Sequence, residues 1–300
     1  MQRGSGKIIL FGEHFVVHNS YAIAAAIDKY VEVEITEIND SKKAELDSIF
    51  NSEEVRKTGH LYKAGIKMLE HLDLKKQMKL SISSTINSSG LGASAAFCVA
   101  FAKALNEKFS LDMDMVKVNE LAFEGEKAFH GNPSGIDNTT SMYGGIVLFW
   151  KESKLNYNKI NPKEKLKLLV VDTGKKRNTD KLIANVTEFM NNNPEQFKEY
   201  IAEVNHLVDD AKDAMLVGDM KYLGELMLIN QSLLEKIGVS TEDIKKIITL
   251  GINNGALGGK LTGAGGGGSV ILLYDCDNVK DKIINKLKEE GYNSFSIEIL

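Results

Sequence analysis

The stretch SISSTINSSGLGASAAF, residues 81–97, is the part of the sequence that decides the fold. It begins as a strand, turns at Gly90 and Gly92, and continues into a helix predicted for residues 93–108. The first N–H groups of a helix have no intrahelical partners, and the positive end of the helix favours an anion. Glycine permits a positive φ and a close approach of phosphate oxygens. The stretch therefore predicts a phosphate-binding loop, although a tight turn before a buried helix would show the same pattern.

A second glycine-rich stretch, KLTGAGGGGSVILLY, occupies residues 260–274 and runs into an apolar strand. It is not a P-loop, because Leu261 follows Lys260 where that motif requires serine or threonine. Glycine is unfavourable wherever ordinary structure could replace it. We therefore expect close backbone contact between this loop and a ligand or another domain.

Both glycine stretches fit the bare pattern of a dinucleotide-binding turn, which makes a nicotinamide-dependent dehydrogenase the second interpretation. Asp112 or Asp114 lies about 20 positions after the first stretch, where such proteins carry a ribose-binding acid. These aspartates, however, precede a predicted helix instead of ending a second parallel strand. The fingerprint therefore lacks its ribose-binding half.

The order of predicted elements indicates an α+β protein with two domains. Strands are predicted for residues 7–17, 30–38, 78–86 and 146–150, and helices between residues 48 and 72 and for residues 115–129. The polar, lysine-rich stretch 151–165 predicts a boundary that gives an N-terminal α/β domain, 1–162, and a C-terminal domain, 163–300. The C-terminal domain is predicted to begin with a strand at 166–172, which is followed by helices from about 180 to 220 and on to 237 and by another helix. It ends with a strand, a helix and a strand. This order indicates a ferredoxin-like α+β fold.

Composition narrows the class of partner. The 37 Lys and Arg residues against 41 Asp and Glu give a net charge of −4, so no broad basic field favours nucleic acid. Cys98 and Cys276 show neither metal-ligand spacing nor a disulfide framework, which indicates reduced thiols in the cytoplasm. The N-terminal apolar run is cut at Gly12, and no stretch approaches the length of a membrane span.

Two acidic residues are candidates for chemistry. Glu126 shares a predicted helix face with Ala122, Phe123 and Phe129, and a carboxylate on an apolar face needs a partner. A divalent cation at the phosphate loop and a structural hydrogen bond are both open. Asp137 follows a turn that Pro133 and Gly135 constrain, so it is either a capping group or a base for a hydroxyl nucleophile.

Four segments together resemble the GHMP family of small-molecule kinases. They are GKIILFGEHFVVH (6–18), SSGLGASAA (88–96), EGEKAFHGNPSGIDN (124–138) and KLTGAGGGGS (260–269). The first and third are most similar to the members that phosphorylate mevalonate. The resemblance implies two domains with the active site between them, and ATP-dependent phosphorylation of the C5 hydroxyl of mevalonate in isoprenoid biosynthesis. Phosphomevalonate, homoserine or a sugar are the alternative acceptors within the family.

The resemblance also implies roles for individual residues. Asp137 matches the catalytic aspartate, and Lys7 matches the lysine whose charge would offset the charge that develops on the transferred phosphoryl group. Ser94 and Glu126 match the side chains that hold Mg²⁺ against ATP. The nucleotide-binding loop corresponds to Ser88, Ser89, Gly90, Leu91, Gly92, Ala93, Ser94 and Ala95. Substrate contacts correspond to Lys7, Glu13, His14, Val17, Asp137, Tyr143, Arg177, Gly263, Ala264 and Gly265.

The expected partners are therefore ATP, Mg²⁺ and a small alcohol, without nucleic acid or a membrane. A nucleotide-binding sensor without turnover is a further alternative, but it would not need all four proposed chemical groups. The sequence does not fix the oligomeric state, and a homodimer is one option.

Overall fold

A computed structural model describes residues 1–41, 44–48, 59–130, 133–151, 155–175 and 179–300. The strands within these ranges are β1 Gln2–Phe11, β2 Ala22–Asp40, β3 Glu45–Ser48, β4 Lys76–Ser84, β5 Ile146–Lys151, β6 Leu155–Ile160, β7 Leu166–Asp172, β8 Gly258–Thr262, β9 Ser269–Leu273 and β10 Asn293–Ile299. The helices are α1 His60–His71, α2 Ala93–Phe109, α3 Met115–His130, α4 Ile136–Tyr143, α5 Thr179–Asn192, α6 Pro194–Val217, α7 Met220–Lys236, α8 Glu242–Asn253 and α9 Asp277–Glu289, with a short 3₁₀ turn at Val16–His18. None of the helices in these ranges combines the length and hydropathy that a bilayer crossing requires.

The chain divides into two compact units. Unit 1 consists of Met1–Lys7, Asp28–Asn87 and Gly92–Gly144, and unit 2 consists of Ile8–Ile27, Ser88–Leu91 and Gly145–Leu300. Strands β1 and β2 each contribute residues to both units. The division after residue 162 that the sequence indicates stays a prediction.

Unit 1 is built around helix α2. Residues 95–102 of this helix are all buried, which confirms the predicted burial on nearly every side. Helices α1, α3 and α4 pack with α2, and the later part of β2 pairs antiparallel with β4, which in turn pairs parallel with β3. The lack of a side chain on Gly4 lets β1 lie close to this helix, because a Cβ there would lie 2.0 Å from the carbonyl oxygen of Ala96.

Unit 2 contains a four-stranded antiparallel sheet with the strand order β10-β7-β9-β8. Helices α7, α8 and α9 pack against it, and the order along the chain is that of the predicted ferredoxin-like α+β fold. The beginning of β2 pairs with β5, which pairs with β6.

Several predicted elements differ from those of the structure. Strand β1 ends at Phe11 instead of residue 17, because Gly12 turns with φ +91° and a Cβ there would lie 2.3 Å from the Tyr21 carbonyl oxygen. Strand β2 begins at Ala22, eight positions before the predicted start at 30. The stretch 151–165 contains the polar strand β6, and the segment from 180 to 220 breaks before Pro194, which begins α6.

Strand β8, with the sequence GGKLT, was not predicted either. Helix α7 requires glycine at position 258, because a Cβ there would lie 2.2 Å from the carbonyl oxygen of Gly224. A strand without apolar alternation gives no periodic signal.

Candidate active site

The predicted phosphate loop has the backbone conformation that its glycines suggest. Gly90 and Gly92 have φ values of +95° and +75°, and Gly92 is the N-cap of α2 without a side-chain cap. Ala96 is the first residue of α2 whose N–H donates to a backbone carbonyl, that of Gly92 (2.9 Å). The helix therefore begins with donors available to an anion, as the sequence predicts.

Lys7 and Asp137 form an ion pair in unit 1, with 3.1 Å between Lys7 Nζ and Asp137 Oδ1. Lys7 lies on β1 and is buried, and its stem fills the space beside Gly92, where a Cβ would lie 2.8 Å from Lys7 Cγ. Asp137 lies in the first turn of α4 and its side chain is 27% exposed. The arrangement gives an accessible carboxylate, the positive end of a helix and a buried ammonium group at one point.

Glu126 of α3 belongs to the same cluster. Its side chain is buried, and burial together with the nearby charge of Asp137 raises its pKa to about 8, although the Ser94 hydroxyl, the Lys7 charge and the Cys98 thiol act in the opposite direction. The Cys98 thiol donates to Glu126 Oε1 at 3.8 Å. The structure thus brings together Lys7, Gly92, Ser94, Glu126 and Asp137, five of the residues chosen from the sequence.

A second cluster lies in unit 2, at the turn after β1. Lys260 Nζ donates to Glu13 Oε1 and to the carbonyl oxygen of Leu261 (2.7 Å), and both charged side chains are almost completely buried. His14 Nε2 donates to the carbonyl oxygen of Ala264 (2.8 Å), and burial lowers the pKa of its imidazole. Glu13, His14 and Ala264 were predicted, whereas Lys260 was not. Lys260 lies in β8, which the sequence did not predict, so no sequence signal marked this lysine.

The glycine loop 263–268 makes close backbone contacts within unit 2, and the predicted contact with a ligand or another domain stays a prediction. Gly266 N–H donates to the carbonyl oxygen of Val239 (2.8 Å), and a Cβ on Gly265 would lie 2.2 Å from the same oxygen. Glycine is required at position 265, which also has a φ of +73°. After the loop, the Ser269 hydroxyl donates to the carbonyl oxygen of Ser89 (2.9 Å), a contact that the sequence did not suggest.

The remaining predicted site residues are less informative. Val17 is 54% exposed in the 3₁₀ turn, and Tyr143 ends α4 with its hydroxyl donating to the Met115 carbonyl oxygen (3.4 Å). Arg177 lies outside the described residues. Among the described residues, no group of three or more His, Cys, Asp or Glu side chains could hold a metal ion, so protein ligands at Ser94 and Glu126 would need phosphate oxygens to complete a coordination shell.

The dinucleotide-binding alternative is wrong. Asp112 and Asp114 lie between helices α2 and α3, not at the end of a parallel strand. Asp114 caps α3 by accepting from the N–H of Lys117 (2.8 Å). The fingerprint therefore has no ribose-binding acid in the position it requires.

Comparison with known proteins gives a consistent result. The family models described as GHMP kinases N terminal domain and GHMP kinases C terminal match residues 59–145 and 211–293. A mevalonate kinase of Arabidopsis thaliana is 32% identical over 98% of this chain and 96% of its own length. One of Pyrococcus abyssi is 34% identical over 89% of this chain and 86% of its own. The crystal structure of L. major mevalonate kinase in complex with R-mevalonate superposes with a TM-score of 0.88 at 35% identity, covering 99% of this chain and 95% of that one.

Proposed function

This chain belongs to the GHMP kinase family and is a phosphotransferase that acts on a hydroxyl group with ATP as the phosphate donor, and we propose that its acceptor is the C5 hydroxyl of mevalonate. The products are then 5-phosphomevalonate and ADP. The curated relatives named mevalonate kinase, at 32–34% identity over most of the chain, support mevalonate as the acceptor.

The observation that carries this proposal is the ion pair between Lys7 and Asp137. An accessible carboxylate at 3.1 Å from a buried ammonium group can accept the proton of an alcohol and orient its oxygen. The ammonium charge then offsets negative charge that develops during phosphoryl transfer. Phosphoryl transfer depends mainly on position and electrostatics, so proton transfer to Asp137 is the smaller part of catalysis.

Ser94 and Glu126 fit a divalent cation. A buried carboxylate whose pKa is raised to about 8 holds a proton at neutral pH, and the charge of a cation that displaces this proton would offset the cost of desolvation that raised the pKa. Bound Mg²⁺ supplies positive charge to the phosphate groups of ATP. Hydroxyl and carboxylate oxygens are the ligands that Mg²⁺ prefers, and the neighbouring loop 88–95 would bind the phosphates through its N–H groups.

We also propose substrate contacts for residues of unit 2. We place His14 and the loop residues Gly263, Ala264 and Gly265 at the mevalonate site, with Val17, Tyr143 and Arg177 as further contacts. The hydrogen bond from His14 to Ala264 supports this, because it holds the turn and the loop together in one arrangement.

The test is an ADP-release assay with mevalonate, phosphomevalonate, homoserine and galactose as acceptors, each at several concentrations with MgATP. We expect mevalonate to give the highest kcat/KM by at least about tenfold, since a site that pairs with a specific polar group discriminates against acceptors that lack it. A higher value for any other acceptor would move the chain to another substrate within the family, and the absence of turnover with all four would contradict the proposal.

We also propose that the protein is cytoplasmic and that it forms a homodimer. Cys98 and Cys276 are free thiols, and Cys276 is exposed, which suits a reducing compartment. Cell fractionation and light scattering of the purified protein test these two statements.

A further inference from the structure

The predicted phosphate loop is divided between the two units. Residues Ser88–Leu91 belong to unit 2, whereas α2, which begins directly after Gly92, belongs to unit 1. Ser89 is exposed, and Leu91 is fully buried. Because Gly90 and Gly92 tolerate many backbone conformations, the peptide groups near the exposed Ser89 could adopt several orientations. A contact with another part of the protein is needed to fix one of them.

Ser269 provides such a contact from a rigid position. It is fully buried at the start of β9, the strand that lies between β8 and β7, and it pairs with Thr262 on one side and Asp172 on the other. The preceding residue is also fixed, because the carbonyl oxygen of Gly268 accepts from Thr173 N–H (2.9 Å). A side chain on a strand that is paired on both sides has a well-defined direction.

The hydroxyl of Ser269 donates to the carbonyl oxygen of Ser89 at 2.9 Å. This carbonyl belongs to the peptide group that joins Ser89 to Gly90. In a planar trans peptide the C=O and N–H bonds point in opposite directions, and the described part of the chain contains no cis peptide. A hydrogen bond that fixes the Ser89 oxygen towards β9 therefore fixes the Gly90 N–H away from β9.

We propose that Ser269 is a positioning residue for the nucleotide, which holds the peptide between Ser89 and Gly90 in the orientation that presents the Gly90 N–H to a phosphate group. The inference rests on the proposed function of the loop 88–95. It also gives the glycine loop and the phosphate loop a common anchor, because Ser269 directly follows Gly268. Without the hydroxyl the peptide can rotate as a unit, since glycine at position 90 tolerates the resulting φ.

The variant Ser269→Ala removes the hydroxyl without adding volume. We expect the KM for ATP and the Kd for ADP to rise about tenfold, the effect of one hydrogen bond, while kcat and the KM for mevalonate change less than about twofold. Ser269→Cys keeps the size of the side chain with a weaker donor, so we expect an intermediate Kd for ADP.

Thr262→Val is the matched control. Thr262 is the cross-strand partner of Ser269 and equally buried, and its hydroxyl bonds to the N–H and carbonyl of Ile9 (2.8 and 3.0 Å) instead of the phosphate loop. Thr262→Val should lower the melting temperature at least as much as Ser269→Ala, because it removes two hydrogen bonds instead of one, but it should leave the Kd for ADP unchanged. The proposal is overturned if both variants raise this Kd equally, or if Ser269→Ala leaves it at the wild-type value.

The ADP titration is performed without any alcohol, so it decides the role of Ser269 independently of the acceptor. A wild-type protein that phosphorylates none of the four acceptors would contradict the proposed function. The comparison of ADP affinity between wild type and Ser269→Ala would still test the role of Ser269.

Discussion

In each unit a buried lysine is paired with a carboxylate of the candidate site, and these two pairs differ in their contact with solvent. In unit 1 the Lys7 side chain is 4% exposed but that of Asp137 is 27% exposed, with 3.1 Å between the charged atoms. In unit 2 the side chains of Lys260 and Glu13 are 0% and 1% exposed. Both carboxylates were predicted as site residues from the sequence, and burial is what separates their roles. An accessible carboxylate can receive a proton from a substrate, whereas a sealed one acts on a substrate only through the backbone it holds.

The sealed pair has the features of a structural element. Burial lowers the pKa of Lys260, and the Glu13 charge acts in the opposite direction. The ammonium also donates to the Leu261 carbonyl, so its hydrogen bonds are made within the protein. Glu13 directly precedes His14, which bonds to the glycine loop. We infer that the pair between Lys260 and Glu13 holds the turn that carries His14, and that Glu13 is a positioning residue.

Lys260→Met gives the largest expected effect. It leaves the buried Glu13 carboxylate without the Lys260 ammonium, and removal of one partner from a buried ion pair lowers the free energy of unfolding by about 3–5 kcal/mol. The matched variant Lys7→Met should lower it by less than about 1 kcal/mol, because Asp137 remains partly hydrated. Denaturant titration of both proteins measures the difference.

The double variant Lys260→Met with Glu13→Leu is the control for this prediction. Replacing both members of a buried ion pair by apolar residues of similar volume is often neutral, so most of the lost stability should return. Equal stability of Lys260→Met and wild type would show that the pair does not contribute to the fold.

Asp137→Asn tests the accessible pair. We expect kcat to fall by about 10² or more, because asparagine cannot accept the proton of the acceptor alcohol. The Kd for ADP should remain within about twofold of wild type, since the phosphate loop is unchanged, and the asparagine oxygen can still accept from Lys7. A variant with wild-type kcat would remove Asp137 from the mechanism.

Much of the fold was predictable because it depends on local patterns. The small apolar residues of α2 predict a buried helix, and the strand β7, with the sequence LKLLVVD, has the continuous apolar run of a strand covered on both faces. Glu126 was recognised for the same reason: helical periodicity places a carboxylate on an apolar face, where it needs a partner.

The remaining features depend on contacts between distant parts of the chain. Lys260 is separated from Glu13 by 247 positions, and Ser269 from Ser89 by 180, so no local pattern relates them. Strand β8 lies close to α7 at Gly258, which the sequence shows only as a missing side chain. The burial of Lys7 likewise follows from the space that Gly92 leaves, 85 positions later.

Glu126 is a third carboxylate, which is buried like Glu13 but titrates at an accessible pH. Its pKa is raised from 4.5 to about 8 in the folded protein, first by burial and then by the charge of Asp137. Between these values the folded state holds a proton that the unfolded chain has released. The free energy of unfolding should therefore fall as the pH rises through this window, by at most about 1.4 kcal/mol per pH unit, and become constant above it.

The measurement is denaturant unfolding at pH 6, 7, 8 and 9 in EDTA, with Glu126→Gln as the control that cannot titrate. The difference between wild type and this variant should decrease from pH 6 to pH 8 and then level off. MgADP should abolish the decrease in the wild-type protein, because a cation at Ser94 and Glu126 takes the place of the proton. Parallel pH profiles of the two proteins in EDTA would mean that Glu126 is ionised throughout, like the carboxylates at the surface, and that the cluster around Asp137 does not store a proton for a cation to displace.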